Sequence, residues 1–520
     1  MAHTHGTYKV MIGAHVNPEL FGPDESLTPA VTVNILPDNV FREIFAFCLS
    51  EKLYNYRFHT EEWQRLVQVC QRWQQIIYGS PQYLDLHLYC SNSAVPFNFR
   101  KNLSRWPEFP LCLCYSIFLD EDEDVEDLIA ALEHRNRVHH LNLFIGSWDS
   151  RVYEVLEKMQ VSFPVLTDLE LEGPDTNPID EIYDISNNFL GNAAPCLQHL
   201  RLGEISFQDL PELLLSARGL VSLQIDDIPA DGYILPEAMV EGLTGLTSLR
   251  TLCIEFRSLD GLSDSNEGLE EKRRLYPPMR PVLPALTEFM FSGESKYLED
   301  LVARIDMPNV EDIKIDYFRV PPWFDVPQLS QFIGRRTNLG LAQFRRARVT
   351  FDYMHSKIQL DRPQGERHQL RFSLGAEISV SDTLGSGLDV IVPRMTRVIG
   401  HLTALLSNVG HLSLNTHTYW PEEMNRLDDS NLLPLLHLFP AVEELRVSLT
   451  LVAPIVTVLE NIAEDRITEV MPALRSLQLG DGNHDPVEPP ERFLSFRHLS
   501  GHPVAIVNFN TQDQVGASEE

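Results

Sequence analysis

The chain has 520 residues and a formal net charge of -32. So strong a negative charge repels phosphate groups, which argues against general binding to nucleic acids or to anionic membranes. With 43% hydrophobic and 22% charged residues, the composition is that of a folded chain rather than a disordered one. We therefore expect soluble protein partners, and neither nucleic acid nor membrane.

The cysteines and the apolar runs indicate the compartment. Seven cysteines are scattered along the chain, mostly inside apolar patterns, as is usual for reduced thiols. The first 30 residues lack a basic segment followed by an apolar one, and no run approaches the roughly 18 apolar residues of a membrane-spanning helix. The sequence thus predicts a cytoplasmic or nuclear protein with no signal peptide.

The first part of the chain divides into two predicted segments. Residues 1–31 mix polar residues, Gly and Pro without periodicity, which predicts a flexible N-terminal segment. Residues 32–90 are predicted to be a small helical domain. In this domain, apolar residues recur at helical spacing from Leu36 to Leu49 and again from Trp63 to Ile77. Each of these two stretches predicts one helix.

A short phrase of the form apolar-x-x-apolar-x-apolar recurs through the rest of the chain. Examples are FPVLTDLELEG, LTSLRTLCIEF and MPALRSLQLGD. The central apolar residues of ten copies are Leu141, Leu169, Leu200, Leu223, Leu252, Phe289, Ile313, Leu412, Leu445 and Leu477. Most successive copies are about 30 residues apart, a period typical of leucine-rich repeats, in which each unit buries its apolar face against its neighbours.

The predicted fold is therefore α/β, with an irregular leucine-rich-repeat solenoid over residues 91–508. It would be a curved parallel sheet with helices on its outer face. Segments such as DVEDLIAALEHR and FQDLPELLLSAR have helical spacing and precede strands. Between Ile313 and Leu412 the phrase is lost, and RARVTFDY and HQLRFSLGAEISV are predicted there as degenerate strands. Residues 257–281 are predicted to be an inserted loop, and residues 509–520 a flexible tail.

The helical domain resembles the F-box, a short helical docking module. The resemblance is carried by LP at Leu36 and Pro37, by Ile44 with the phenylalanine that follows it, and by VCQRWQQI, which begins at Val69. The position ahead of a repeat array is similar to that in the F-box and leucine-rich-repeat proteins common in fungi.

This resemblance implies a role and a set of residues. Proteins of this family dock their F-box on the Skp-type adaptor of a cullin-RING ubiquitin ligase and hold a protein substrate on the repeats. A short helical domain cannot hide apolar residues on several faces. The expected adaptor-binding residues are Leu36, Pro37, Val40, Ile44, Val69, Trp73 and Ile76. In the alternative, these residues are internal, and the domain only caps the array of a non-catalytic interaction scaffold.

The search for catalytic motifs favours a non-enzyme. The chain has no phosphate loop, zinc-binding helix motif, nucleophile elbow or dinucleotide fingerprint. We therefore expect no catalytic residue, no metal and no cofactor. Cys112 with Cys114, and the histidines His134, His139 and His140, are interpreted as structural, because they lack further ligands at suitable spacing. An enzyme site hidden in the degenerate middle of the array is the less favoured alternative.

Arginines are concentrated in GRRTNLGLAQFRRARV. They are Arg335, Arg336, Arg345, Arg346 and Arg348. Guanidinium groups make paired hydrogen bonds to phosphate and carboxylate groups. These arginines are therefore candidate substrate-binding residues for a phosphorylated or acidic protein segment. The alternative is that they are solvated charges that balance nearby carboxylates.

Overall fold

A computed structural model divides the chain into two compact units, residues 1–86 and 87–520. The structure describes residues 35–50, 62–81, 83–84, 86–91, 103, 108–117, 122–148, 150–174, 185, 188–229, 232–257, 280–318, 326–334, 344–351, 355–361, 375–381, 387–416, 429–462, 466–480 and 489–507. The predicted N-terminal segment and tail lie outside these residues. So does nearly all of the predicted loop at 257–281.

The described part of the first unit contains the helices α1 (Asp38–Ser50), α2 (Glu62–Val67) and α3 (Gln71–Tyr78). The first predicted helix is confirmed as α1. Pro37 precedes its first residue, and the carboxylate of Asp38 lies in its first turn, where the helix dipole favours a negative charge.

The second predicted helix is divided in two, which the prediction missed. The backbone N–H groups of Gln68 and Val69 bond to carbonyls three residues back, as in a tight turn. Cys70 then has an extended backbone, with φ of -162° and ψ of 165°, directly before α3. The apolar spacing continues across this turn, so periodicity alone could not reveal it.

Aromatic side chains join α1 to α3. The ring centroid of Trp73 lies 5.7 Å from that of Phe41 and 4.9 Å from that of Phe45. Both phenylalanines are buried. Arg72 adds an ion pair to Asp38 at 2.7 Å. Together these contacts fix the two helices against each other.

The second unit is built on a sheet of 16 strands among the described residues. The strands are β1 (Leu88–Ser91), β2 (Leu111–Ile117), β3 (Val138–Ile145), β4 (Asp168–Glu172), β5 (His199–Gly203), β6 (Ser222–Ile228), β7 (Thr251–Phe256), β8 (Glu288–Gly293), β9 (Asp312–Phe318), β10 (Arg346–Phe351), β11 (His355–Asp361), β12 (Gly375–Ser381), β13 (His411–Thr416), β14 (Glu444–Val447), β15 (Ser476–Leu479) and β16 (Ala505–Ile506). Strands β1 to β9 follow chain order, and all their pairings are parallel.

Helices alternate with these strands, as the sequence predicts. They are α4 (Asp122–Leu132), α5 (Ser150–Lys158), α6 (Leu210–Ser216), α7 (Pro236–Leu243), α8 (Ser295–Val302), α9 (Pro327–Gly334), α10 (Leu388–Gly400), α11 (Thr403–Leu406), α12 (Asp429–His437), α13 (Leu449–Asn461) and α14 (Glu491–Leu499), with a 3₁₀ turn at Phe189–Asn192. The second unit is thus an α/β structure with a long parallel sheet, and it is consistent with a leucine-rich-repeat-like array.

The core of the second unit contains the ten central residues of the repeated phrase. All ten lie in strands and are at most 2% exposed. From Leu141 in β3 to Ile313 in β9, each faces the next in register, and the same holds from Leu412 in β13 to Leu477 in β15. Burying one such side chain contributes about 1.5–3 kcal/mol.

The segment between β9 and β13 differs from the prediction. The two predicted degenerate strands cover β10 and all but the last residue of β12. An unpredicted strand, β11, lies between β10 and β12 and is antiparallel to both. The order is therefore β9-β12-β11-β10-β13, with β12 parallel to β9 and β10 parallel to β13. Only residues 352–354 connect β10 to β11. Such a short link allows only an antiparallel pairing.

Candidate functional site

The helical unit exposes apolar side chains next to its aromatic interior. Ile44 is 41% exposed and Phe47 is 70% exposed. They are three residues apart on α1 and so are neighbours on one helix face. Val69, in the turn between α2 and α3, is 59% exposed. We call Ile44, Phe47 and Val69 the apolar surface of the helical unit.

The seven predicted adaptor-binding residues are not all on this surface. Pro37, Ile44 and Val69 are exposed, Leu36, Val40 and Trp73 are half-buried, and Ile76 is 7% exposed. Ile76 thus belongs to the interior, and Trp73 mainly joins α3 to α1. Phe47 was missed because it does not share the spacing of the buried residues of α1. The sequence did contain one indication of it, because Phe47 is a large aromatic residue outside the helical spacing of the buried residues.

The second candidate surface is one face of the sheet. It carries the polar residues that alternate along each strand with the buried central residues of the repeated phrase. We call it the open face. On β3, β4 and β5, the Asp168 carboxylate accepts hydrogen bonds from His140 Nδ1 at 2.9 Å and from His199 Nδ1 at 2.8 Å. Burial alone would raise the pKa of Asp168. The hydrogen bonds from His140 and Thr167, with the electrostatic interaction of Asp168 with His140 and His199, outweigh burial and lower this pKa.

A second ion-pair network crosses the same face one row further along the strands. Arg201 Nη1 donates to Glu170 Oε1 at 2.7 Å, and Arg201 Nε donates to Asp226 Oδ2 at 2.8 Å. Asn142 also donates to Glu170. The hydrogen bond to Asp226 is the main reason that the pKa of Arg201 is raised. The carboxylates of Glu170 and Asp226 are therefore already paired.

One group of residues on β6 and β7 has the donor set of a cation site. Asp226, Cys253 and Glu255 each offer a ligand atom, and these atoms lie within 4.8 Å of one another. Thiolate and carboxylate groups are ligands that zinc accepts. However, burial and the two carboxylates raise the pKa of the Cys253 thiol, which is therefore protonated at neutral pH. The group was missed because Asp226 and Cys253 come from different repeats.

The cysteines and histidines that the sequence singled out lie near the start of the sheet. Cys112 is buried and Cys114 half-buried. A hydrogen bond between the two thiols raises the pKa of Cys112 and lowers that of Cys114. Cys112 is in register with His140, which binds Asp168, whereas His134 lies in the turn after α4. Cys112, Cys114 and His140 therefore lie on the open face, whereas His134 does not.

The predicted substrate-binding arginines are only partly described. Arg335 and Arg336 lie outside the described residues. Arg345, Arg346 and Arg348 are exposed. Arg345 lies just before β10, where its carbonyl accepts hydrogen bonds from β13. Arg346 and Arg348 lie two residues apart on β10 and so point to the same face of the sheet.

An arginine that the prediction missed lies close to them in register. Arg348 is opposite Ser413 of β13, and Ser413 is opposite Arg446 of β14. Arg446 directly follows the central residue Leu445 in one copy of the repeated phrase. This position is polar in most copies, so the local sequence does not mark Arg446 as a binding residue. Only strand pairing shows that the two segments are adjacent.

Within the described residues, no helix has the length and apolar character needed to cross a membrane. No protein-family model matches the chain, and no curated protein does either.

Proposed function

We propose that this chain is the substrate-recognition subunit of an SCF-type cullin-RING ubiquitin ligase. The helical unit acts as an F-box that docks on a Skp-type adaptor, and the repeat-like sheet holds a protein substrate. The observation that carries the proposal is the apolar surface formed by Ile44, Phe47 and Val69. These side chains are exposed although the unit already has an interior in which Trp73 packs on α1.

A partner that covers this surface removes apolar area from water. Each Å² buried contributes roughly 25 cal/mol. A pair of neighbouring large apolar residues on one helix, with a third on a nearby turn, suits a partner that presents a helix or an apolar groove. This chemistry supports docking on another protein. The match of Leu36, Pro37 and Val69 to the F-box landmarks suggests which protein that is.

In this role the chain needs no catalytic residue. It binds the substrate on one unit and the adaptor on the other, so that a substrate lysine is held near the conjugating enzyme. Tethering of this kind raises the effective concentration of the reacting group. The rate of ubiquitin transfer then depends on how tightly the substrate is bound.

The proposal is tested by measuring binding of the purified chain to a purified Skp-type adaptor by calorimetry. We expect Ile44→Asp and Val69→Asp each to weaken binding by about tenfold or more, since a buried charge replaces an apolar contact. Leu215→Asp is the matched control, because Leu215 is an equally exposed leucine on α6 of the sheet unit. Thermal unfolding of each variant checks that the fold is intact.

The result that would overturn the proposal is equally clear. If the unaltered chain does not bind the adaptor, or if Ile44→Asp and Leu215→Asp bind equally well, the apolar surface is not an adaptor site. The helical unit would then be a cap of a non-catalytic interaction scaffold.

A further inference from the structure

We propose that Arg346 and Arg348 of β10, together with Arg446 of β14, bind an anionic protein segment. The segment would carry several carboxylate or phosphate groups in an extended conformation. This inference names the class of substrate for the proposed receptor and in that sense rests on the proposed function. The binding itself requires no adaptor and is tested separately.

The charges around these arginines are the first argument. The chain has 74 acidic residues against 42 Lys and Arg residues, so most arginines should find a carboxylate. Arg201 on the same face of the sheet binds two. By contrast, the guanidinium groups of Arg346 and Arg348 make no hydrogen bond or ion pair among the described residues. Asp361 is opposite Arg346 in register, but no ion pair joins them.

Among the described residues, no carboxylate lies next to Arg348 in register. Arg348 is flanked in register by Gln359 on β11 and Ser413 on β13, both neutral. Beyond Ser413, Arg446 Nε donates to Gln478 Oε1 at 2.9 Å. The neutral side chain of Ser413 thus lies between Arg348 and Arg446 in register.

The spacing of the arginines suits an extended peptide. Arg346 and Arg348 are two residues apart on one strand, which separates them by about 6.6 Å. Arg348 and Arg446 are two strands apart, which corresponds to roughly 9.6 Å. Alternate side chains of an extended peptide recur at about 6.6 Å. Two acidic side chains of such a peptide can thus face Arg346 and Arg348, while a third reaches Arg446.

The patch is small, which favours a short protein segment over a nucleic acid. Glu444 lies on β14, two residues before Arg446, and its carboxylate is bonded to His411 of β13 at 2.9 Å. The chain as a whole carries a net charge of -32. A long polyanion would extend past the arginines and meet this negative surface. A segment with a few anionic side chains places its charge only where the arginines are.

The test is fluorescence anisotropy with the full-length chain and three labelled peptides of one length. One is rich in Asp and Glu, one has phosphoserine at those positions, and one has Asn and Gln there. We expect the anionic peptides to bind, the neutral peptide not to bind, and added salt to weaken binding. The double variant R346E/R348E, and R446E alone, should each weaken binding by about tenfold or more. Binding of both anionic peptides, or of the phosphopeptide only, supports the proposal and shows which anion the site requires.

The matched control is R218E. Arg218 is an exposed arginine in the turn after α6, and the same charge reversal there should leave the affinity unchanged. Equal losses in R218E and R346E/R348E, or no binding of either anionic peptide, would overturn the proposal. So would tighter binding of a single-stranded oligonucleotide that depends on the same arginines. Adaptor binding should persist in R346E/R348E, so a failure of this site is distinguishable from a failure of the docking role.

Discussion

Asp168 binds two imidazoles on the open face. The hydrogen bonds to His140 and His199 measure 2.9 and 2.8 Å. Bonds of this kind to a charged group contribute more than neutral ones. The hydrogen bonds from His140 and Thr167 and the electrostatic interaction with His199 lower the pKa of Asp168 in spite of burial.

The Asp168→Asn variant should therefore lose stability in a pH-dependent way. A carboxylate whose pKa is lower in the folded than in the unfolded chain stabilises the fold above its unfolded pKa of about 3.9. That contribution is lost as the pH falls through the lower folded value. We expect the variant to lose about 1–2 kcal/mol of unfolding free energy at pH 7. The difference from the unaltered chain should shrink below about pH 4.

Urea unfolding followed by circular dichroism over pH 3–7 measures this difference. Glu157→Gln, at an exposed carboxylate in the last turn of α5, is the control and should change stability by less than about 0.5 kcal/mol. A loss in Asp168→Asn that is constant over the whole pH range would show that shape, not charge, makes Asp168 important.

At the scale of elements, the strands with the repeated phrase were predictable because a buried leucine marks each one. Where that position holds a small residue, the repeated phrase is lost, although β10 and β12 were still predicted as degenerate strands. Ala347 of β10 and Ala376 of β12 occupy the register positions that join Ile313 to Leu412 through Leu360 of β11. An alanine gives no leucine signal, so the buried row cannot be followed through β10 and β12 in the sequence. The strand β11 was missed although it has Leu360 at this position.

The candidate surfaces show the same limit. The arginines of β10 stand out in the sequence because they are close together. Arg446, and the pairing of Arg201 with Asp226, could not be predicted, because strand register brings together residues from different repeats. Phe47 could be found only by asking which apolar residue of α1 is off the buried face. Apolar patterns in the sequence predict which side of each helix or strand is buried. Which exposed side chains lie next to each other depends on how the strands pair.

The antiparallel strand β11 should be a structural requirement for the middle of the sheet. Ile358 is 1% exposed and lies between β10 and β12. We expect Ile358→Ala to cost about 2–4 kcal/mol and Ile358→Val only about 0.5–1.5 kcal/mol, because the loss follows the number of buried methyl groups removed. Equilibrium urea unfolding of the two variants checks this order. Equal costs would show that β11 contributes little to the core.

At the scale of the whole sheet unit, the ladder of buried residues implies that stability is mostly a sum over neighbouring strands. In a stacked array each unit contacts mainly the units on either side. Leu223 of β6 has Leu200 on one side and Leu252 on the other. Leu477 of β15 has Leu445 on one side, but on the other only Ile506, which is 37% exposed.

Removing these two leucines should therefore have different consequences, although both are fully buried and both lose the same atoms. Leu223→Ala leaves a cavity between two well-packed neighbours and should cost about 3–5 kcal/mol. Because β6 is interior, that loss should lower the stability of the array as a unit. Leu477→Ala removes packing at a position where only one of the two neighbouring side chains, that of Leu445, is buried. The strands β15 and β16 with α14 should then open at lower urea than the rest.

Hydrogen exchange followed by mass spectrometry over a urea series separates these outcomes. For Leu477→Ala, we expect amides of β15 and β16 to lose protection first, while those of β4 to β8 keep the protection of the unaltered chain. For Leu223→Ala, protection should fall together across β4 to β8. If Leu477→Ala instead lowered protection evenly from β4 to β16, the sheet would unfold as a single cooperative block. Its stability would then not be a sum over neighbours.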